Sequence, residues 1–294
     1  MLELTDITKT YRGAATNAVD RLTLHLSPGL TGLLGPNGAG KSTLMRIAAT
    51  VTRPTTGQVR IDGHDAVRHP GHLRRQLGYL PQDFGVYPNL NAREFLRYLA
   101  AAKGLTGRSA RARVDELLGL VNLTEAAHRP LGGYSGGMLR RVGIAQALLA
   151  DPRVIIVDEP TAGLDPEERI RLRNLLAGLA ATRVVLLSTH IVSDVESVAA
   201  EIAVVAGGRL LARATPEELI ARTSGRVWEV TVSQAELGEL HARHVVGSLT
   251  RTATGVRARV LSDVPPPYAH CAPAEPGLED AYLAAVHTVP AAAA

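Results

Sequence analysis

The residues Gly35-Pro36-Asn37-Gly38-Ala39-Gly40-Lys41-Ser42-Thr43 carry the most specific chemical signal in this chain. They fit G-x-x-x-x-G-K-[ST], a loop whose glycines let backbone N–H groups turn inward around a phosphate. The apolar run Leu30-Thr31-Gly32-Leu33-Leu34 before the loop reads as a strand, and residues 44–49 after it read as a helix. A helix that starts at the loop adds unpaired N–H groups and partial positive charge to the same anion site. Lys41 then reaches the β- and γ-phosphates of a nucleotide, and the Ser42 hydroxyl is placed for Mg²⁺. Lysine is itself informative here, because the chain has only Lys9, Lys41 and Lys103 among 32 basic residues. A compact ammonium fits a phosphate cradle, whereas a planar guanidinium wants a bidentate partner.

A phosphate loop needs an acidic partner, and Val154-Ile155-Ile156-Val157-Asp158-Glu159 supplies one. It reads as a buried strand ending in two carboxylates. Asp158 fits the Mg²⁺ shell, directly or through water. Glu159, one residue further on, is aimed at the γ-phosphate and its attacking water, as general base or as water-positioner.

The elements that must position these groups follow from periodicity. Residues 1 to about 90 alternate short apolar runs with Gly/Pro turns, as in Leu22-Thr23-Leu24-His25-Leu26, and read as strand-rich structure around the loop. From about 91 to 150 the period becomes helical, over residues 92–103 and 111–120, with Gly104 and Gly107 as stops. The basic cluster at 108–113 reads as a solvated helix face. Val154-Ile155-Ile156-Val157 and Val184-Val185-Leu186-Leu187 are unalternating runs suited to parallel strands. The helix expected between them, over 166–181, has Pro166 at its start and Glu167 and Glu168 in its first turn, completing a βαβ pattern. Beyond 224, residues 227–232 and 255–261 alternate like strands of an exposed sheet, 277–286 reads as a short helix, and the alanine tail is expected to be disordered.

Composition limits the alternatives. The 294 residues are 46% hydrophobic but 3% aromatic, so the core is built of Leu, Val, Ile and Ala. A net charge of +4 does not argue for nucleic acid. Cys271 is the only cysteine, which excludes an intrachain disulfide and argues against a cysteine-based zinc site. No stretch approaches the ~18 apolar residues of a membrane span, and the N-terminus lacks a basic region followed by an apolar one. The chain is therefore expected in the cytosol, with any membrane link made through a partner. No Asn-Lys-x-Asp motif occurs to read guanine.

A third motif, Tyr134-Ser135-Gly136-Gly137-Met138 with a helix following over 139–150, lies in the helical insert just before the acidic strand. With it the chain resembles the ATP-binding cassette (ABC) family, over about residues 1–220. Further matches fall in family order. Tyr11 stands where an aromatic ring stacks on adenine. Gln82, in Leu80-Pro81-Gln82-Asp83, resembles the Q-loop, whose carbonyl oxygen faces Mg²⁺ or its water. Asp165, in Ala162-Gly163-Leu164-Asp165, resembles the D-loop. His190, after Ser188-Thr189, resembles the switch histidine that bonds the γ-phosphate. Leu278-Glu279-Asp280-Ala281-Tyr282-Leu283 is similar to the tail helix of many members.

The resemblance implies an α/β phosphate-loop cassette: a mostly parallel core sheet, an antiparallel β subdomain and a helical insert at about 91–150, within a domain spanning 1–223. Residues 224–294 would form a small α+β accessory region. It implies ATP hydrolysis with Mg²⁺. The N–H groups of Ser135, Gly136 and Gly137 would form a second anion site, closing on ATP held by another subunit, either a second copy or a related chain. Asp165 would lie across the same interface. The segment from Gln82 to Asn91 would face a transmembrane permease at the inner face of the membrane, and no nucleic acid is expected. Tyr134 stands where Leu is usual and Met138 where Gln is usual. Met138 cannot donate to a ribose hydroxyl, so the contact to the opposite nucleotide would be weaker. This variant, with Gly85-Val86-Tyr87-Pro88-Asn89-Leu90 and Glu94-Phe95-Leu96, is similar to the branch serving exporters of drugs, sodium, lipids or polysaccharides. Two other readings compete. A soluble family ATPase acting on ribosomes or DNA would need a second phosphate loop or long heptad inserts. A non-hydrolysing regulatory binder would not need Glu159 and His190.

Overall fold

The computed structural model describes residues 1–253 and 255–287, the side chains of residues 72 and 73 aside. The alanine tail expected to be disordered lies outside them. The strands are β1 (Leu2–Lys9), β2 (Val19–Leu26), β3 (Gly29–Leu34), β4 (Thr56–Ile61), β5 (His64–Asp65), β6 (Leu77–Leu80), β7 (Val154–Asp158), β8 (Val184–Thr189), β9 (Glu201–Ala206), β10 (Arg209–Ala214), β11 (Val227–Val232), β12 (Val245–Thr252), β13 (Gly255–Leu261) and β14 (His270–Pro273). The helices are α1 (Lys41–Ala48), α2 (Pro70–Arg74), α3 (Ala92–Ala102), α4 (Gly107–Leu120), α5 (Gly136–Ala147), α6 (Pro166–Ala180), α7 (Ser193–Glu196), α8 (Pro216–Ala221), α9 (Leu237–Arg243) and α10 (Leu278–His287). The chain divides into two compact units, Met1–Ala200 with Val205–Leu210, and Glu201–Val204 with Leu211–Ala294.

Alternation builds the first sheet of the larger unit. Leu2 and Leu4 of β1, Leu24 and Leu26 of β2, and Val59 and Ile61 of β4 all point inward and are buried. The antiparallel order β2-β1-β4-β5 brings them onto one face, with Leu4 opposite both Leu24 and Val59. The second sheet follows the other rule. In β3, β7 and β8 consecutive apolar residues are buried, as strands covered on both faces require. Within the order β10-β9-β3-β8-β7-β6, strands β3, β8, β7 and β6 are parallel neighbours, and β7, α6 and β8 form the expected βαβ unit. The register sets Leu34 beside Thr189, and Asp158 beside Ser188. The carboxyl ends of the three strands therefore share one rim, where α/β sheets place ligands.

The helical insert packs α3, α4 and α5 against one another. A capping box starts α3: the Asn91 side chain accepts the Glu94 N–H, and the Glu94 carboxylate accepts the Asn91 N–H. Gly104 follows α3 with φ +81°, as a stop should. Gly107 is a correction: it opens α4 after the extended residue Thr106, so the two glycines serve the two sides of a single break. The basic cluster also needs correction. Arg108 and Arg111 are exposed, but Arg113 turns inward and donates to the Leu148 carbonyl at 2.8 Å. The helix of the third motif begins at Gly136, inside the motif, and ends at Ala147.

The smaller unit is organised on an antiparallel sheet, β12-β13-β11-β14. Val230 and Val232 of β11 and Ala258 and Val260 of β13 bury one face with Leu240 of α9. Arg259 pairs with Asp280 of α10 at 2.7 Å, and the same carboxylate accepts the Gly277 N–H at 2.8 Å. The alternation of β11 and β13 and the helix α10 were legible; β12, β14 and α9 were not.

Candidate functional site

The phosphate loop occupies residues 35–40, between the end of β3 and the start of α1. Two of its glycines are dictated by close approach. A Cβ on Gly35 would stand 2.1 Å from the Val205 carbonyl oxygen, and one on Gly40 would stand 2.1 Å from that of Ala18. Gly40 also has φ +94°, a conformation that disfavours any side chain. As N-cap of α1 it offers no capping side chain, and the first turn carries no acidic residue. The leading N–H groups of α1 are thus left to an anion. Lys41 is 7% exposed in its side chain. Its Nζ donates to the carbonyls of Gly35 at 2.6 Å and Pro36 at 3.1 Å, and lies 3.9 Å from Glu159 Oε1. Burial lowers its pKa, while the charges of Glu159 and Asp158 act against that shift.

The acidic strand end meets this loop. Asp158 is buried, and its Oδ1 has no hydrogen-bond partner among the described residues. The neighbouring Ser188 Oγ is buried and unpartnered as well. Glu159 leaves the strand with φ +48°, a left-handed conformation that costs a side chain on the order of 1 kcal/mol, and its N–H is fixed by the Ser188 carbonyl at 3.0 Å. Its carboxylate meets His190 Nδ1 at 2.9 and 3.0 Å. A carboxylate oriented by an imidazole beside an anion cradle can take a proton from water.

The donor set suits a nucleotide-borne Mg²⁺. Among the described residues no three His, Cys, Asp or Glu side chains form a metal cage. Such a cage is not needed, because Mg²⁺ at phosphates keeps several waters and takes one or two carboxylates. Asp158 Oδ1, buried and unclaimed, is an oxygen of that kind.

A cleft of about 480 Å³ brings together residues 37–43, Gln82, Glu159 and His190. Tyr11 stands beside it rather than in its lining: the exposed ring has its hydroxyl 3.4 Å from Thr43 Oγ1 and Lys9 Nζ 5.3 Å from its centroid. Ser135, Gly136, Gly137 and Asp165 are not part of this cleft. Ser135 caps α5, its Oγ accepting the Met138 N–H at 3.2 Å. Gly136 lines a second cleft of about 560 Å³ with Gln82, Asp83, Phe84 and Gly163. Asp165 caps α6, its Oδ1 accepting the Glu168 N–H at 2.8 Å.

Two residues near the site escaped sequence reasoning, and a third was noticed there without a structural role. Arg140 is buried and donates to main-chain carbonyls of residues 81, 82 and 158–160. Helical period was a usable signal, since Arg140 shares a face with the buried residues Gly143, Ile144 and Ala147. Asp194 is fully buried and accepts from Thr161 at 2.5 Å and Thr189 at 3.3 Å, joining the turn after Glu159 to the strand before His190. No local pattern marks it. Tyr134, the unusual residue of the third motif, is buried and donates to the Ala126 carbonyl at 2.6 Å, so it packs the insert. Its burial raises its pKa.

Residues 19–162 match the family model described as ABC transporter. The chain is 38% identical over 250 residues to the daunorubicin resistance ATP-binding protein DrrA3 of Streptomyces coeruleorubidus, covering 83% of this chain and 78% of that protein. Nod factor export ATP-binding protein I of Burkholderia pseudomallei (strain 1710b) is 39% identical over 212 residues, 70% of this chain and 69% of that protein. Among solved structures, the dimeric post-hydrolysis state of the ATP-binding cassette MJ0796, bound to ADP and Pi, superposes with a TM-score of 0.67 at 28% identity, covering 73% of this chain and 98% of that one.

Proposed function

Because the chain belongs to the ABC transporter family, as an ATP-binding subunit that hydrolyses ATP, we propose that it works as a sandwich dimer driving export through a separate membrane subunit. Two copies, or one copy and a related chain, hold two ATP molecules between them. The phosphate loop of one chain binds the β- and γ-phosphates, with Lys41 exchanging the Gly35 and Pro36 carbonyls for phosphate oxygens. Ser42, Asp158 and Gln82 are the residues that would hold Mg²⁺, which when bound supplies positive charge to the β- and γ-oxygens. Tyr11 stacks on the base. Glu159, oriented by His190, accepts the proton of the water whose oxygen attacks the γ-phosphorus as the bond to the β–γ bridging oxygen breaks. Ser135, Gly136, Gly137 and Asp165 serve the nucleotide held by the opposite chain.

Several observations support the wider reading. Among the described residues no helix is long and apolar enough to cross a membrane. Both phenylalanines of the chain and two of its seven tyrosines cluster after Gln82: Phe84 with Phe95, and Tyr87 with Phe95 and Tyr98, at centroid distances of 5.8–6.2 Å. Tyr87 and Tyr98 are exposed, which suits a contact from the membrane subunit near residues 82–91 at the inner membrane face. The relatives' names, a drug resistance protein and an export protein, favour outward transport. Residues 224–294 form an accessory region outside the cassette of residues 1–223.

The observation that carries the mechanism is the Glu159 carboxylate, 2.9 Å from His190 and 3.9 Å from Lys41. Glu159→Gln is expected to keep ATP affinity, slow turnover by about 10²–10⁴-fold, and leave an ATP-bound dimer measurable by light scattering. Turnover at the wild-type rate would remove Glu159 from the chemistry.

A further inference from the structure

A buried arginine accounts for geometry at the site that the mechanism uses but does not explain. Arg140 lies on α5, within five residues of Ser135, and is 9% exposed. A guanidinium has five N–H bonds, and here each finds a main-chain carbonyl. Nε donates to Pro160 at 3.2 Å. Nη1 donates to Pro81 at 3.1 Å and Gln82 at 2.8 Å. Nη2 donates to Asp158 at 3.2 Å and to Glu159. No carboxylate oxygen is spent on it, so those of Asp158 and Glu159 stay with the site. A buried cation is costly to desolvate, and an apolar residue would fill the same space at less cost. What the guanidinium adds is direction. It fixes the carbonyls of residues 158–160, on both sides of the strained Glu159 backbone, against those of 81–82.

We infer that Arg140 is a positioning residue that sets the Glu159 carboxylate, and ties its placement to the helix carrying the Ser135-Gly136-Gly137 start. The carbonyls of Pro81 and Gln82 are its anchorage. Movement of α5 toward an opposing nucleotide is thereby transmitted to the residue that handles the attacking water. The inference rests on Glu159 acting as proposed above.

The test uses Arg140→Lys in the full chain, with Arg140→Gln as a second variant. Lysine keeps the charge but places three N–H groups on one atom, which cannot span residues 81–82 and 158–160 together. The expected result is a kcat lower by roughly 10- to 100-fold with KM for ATP and ATP affinity within about threefold of wild type, because misplacement by about 1 Å has that effect. In a Glu159→Gln background, adding Arg140→Lys is expected to change residual turnover by less than about threefold, since residues acting through one another are not additive. An unchanged kcat, a fully additive effect in that background, or loss of ATP affinity along with turnover in both variants would overturn the inference. Glu159→Gln alone separates the two claims. If it turns over normally the mechanism itself fails; if it is slow and Arg140→Lys is additive, only the role of Arg140 fails.

Discussion

Two helices of the larger unit begin beside glycines, yet their N-termini are finished differently. The start of α1 has Gly40 as its cap, no capping side chain and no acid in its first turn. The start of α5 is capped by its own Ser135, whose hydroxyl already takes the Met138 N–H. Around α1 the chain gathers a lysine, a glutamate and a histidine in one cleft. The second cleft, at Gly136, is lined by one cation, Arg140, and all of its N–H groups are committed to carbonyls. The first helix start therefore has a cation, a carboxylate and an imidazole beside its amides in one chain. The second has amides and the Asp83 carboxylate but no uncommitted cation, so the proposed role for it is to complete a nucleotide site whose positive charge is supplied elsewhere.

Three substitutions press on this contrast. The largest effect is expected at Lys41. Lys41→Ala removes charge-assisted bonds of about 1.5–3 kcal/mol and should weaken ATP binding by about 10²-fold or more, read by titration with a fluorescent nucleotide. An intermediate effect is expected at Ser135. Ser135→Ala loses an N-cap of about 1 kcal/mol, seen as a lower thermal midpoint, and should weaken ATP-dependent dimerisation of the Glu159→Gln protein by about tenfold. Binding of ATP to the isolated chain should not change. If Ser135→Ala weakened that binding as Lys41→Ala does, the two helix starts would belong to one site within a single chain. The smallest effect is expected at Met138. Met138→Gln restores an amide donor and should tighten the same dimer by about 2- to 10-fold, the worth of roughly 0.5–1.5 kcal/mol. A weaker dimer would show that Met138 contributes by packing rather than by default.

The parts of the site that could be read in advance are contiguous. The phosphate loop, the pair Asp158-Glu159 and the Ser135-Gly136-Gly137 start each carry their chemistry in neighbouring residues, and a strand or helix period on either side places them. Arg140 was harder to read because its partners are main-chain carbonyls, which every residue possesses and no residue type advertises. Asp194 was hidden for a related reason: its meaning lies in Thr161 and Thr189, which reach it only after β7, β8 and α7 have packed. In the smaller unit β12 was missed because five of its eight residues around the hairpin are polar or glycine and its middle is exposed, so alternation has nothing to report. Gly107 misled because a glycine breaks a helix equally well from either side.

The sequence by itself determined the local chemistry: a helix start that glycine leaves open, an ammonium at its first residue, two carboxylates at a strand end, and a serine that caps its own helix. These follow from backbone sterics and side-chain type within a few residues. The tertiary structure decided which of those groups meet. The parallel register that sets Asp158 beside Ser188 also brings Glu159 and His190 within 2.9 Å, although 31 positions separate them in the chain. It likewise left Ser135 and Asp165 outside the first cleft. Such choices depend on how buried strands align when their apolar faces are covered, and that is a property of the whole core rather than of any segment in it.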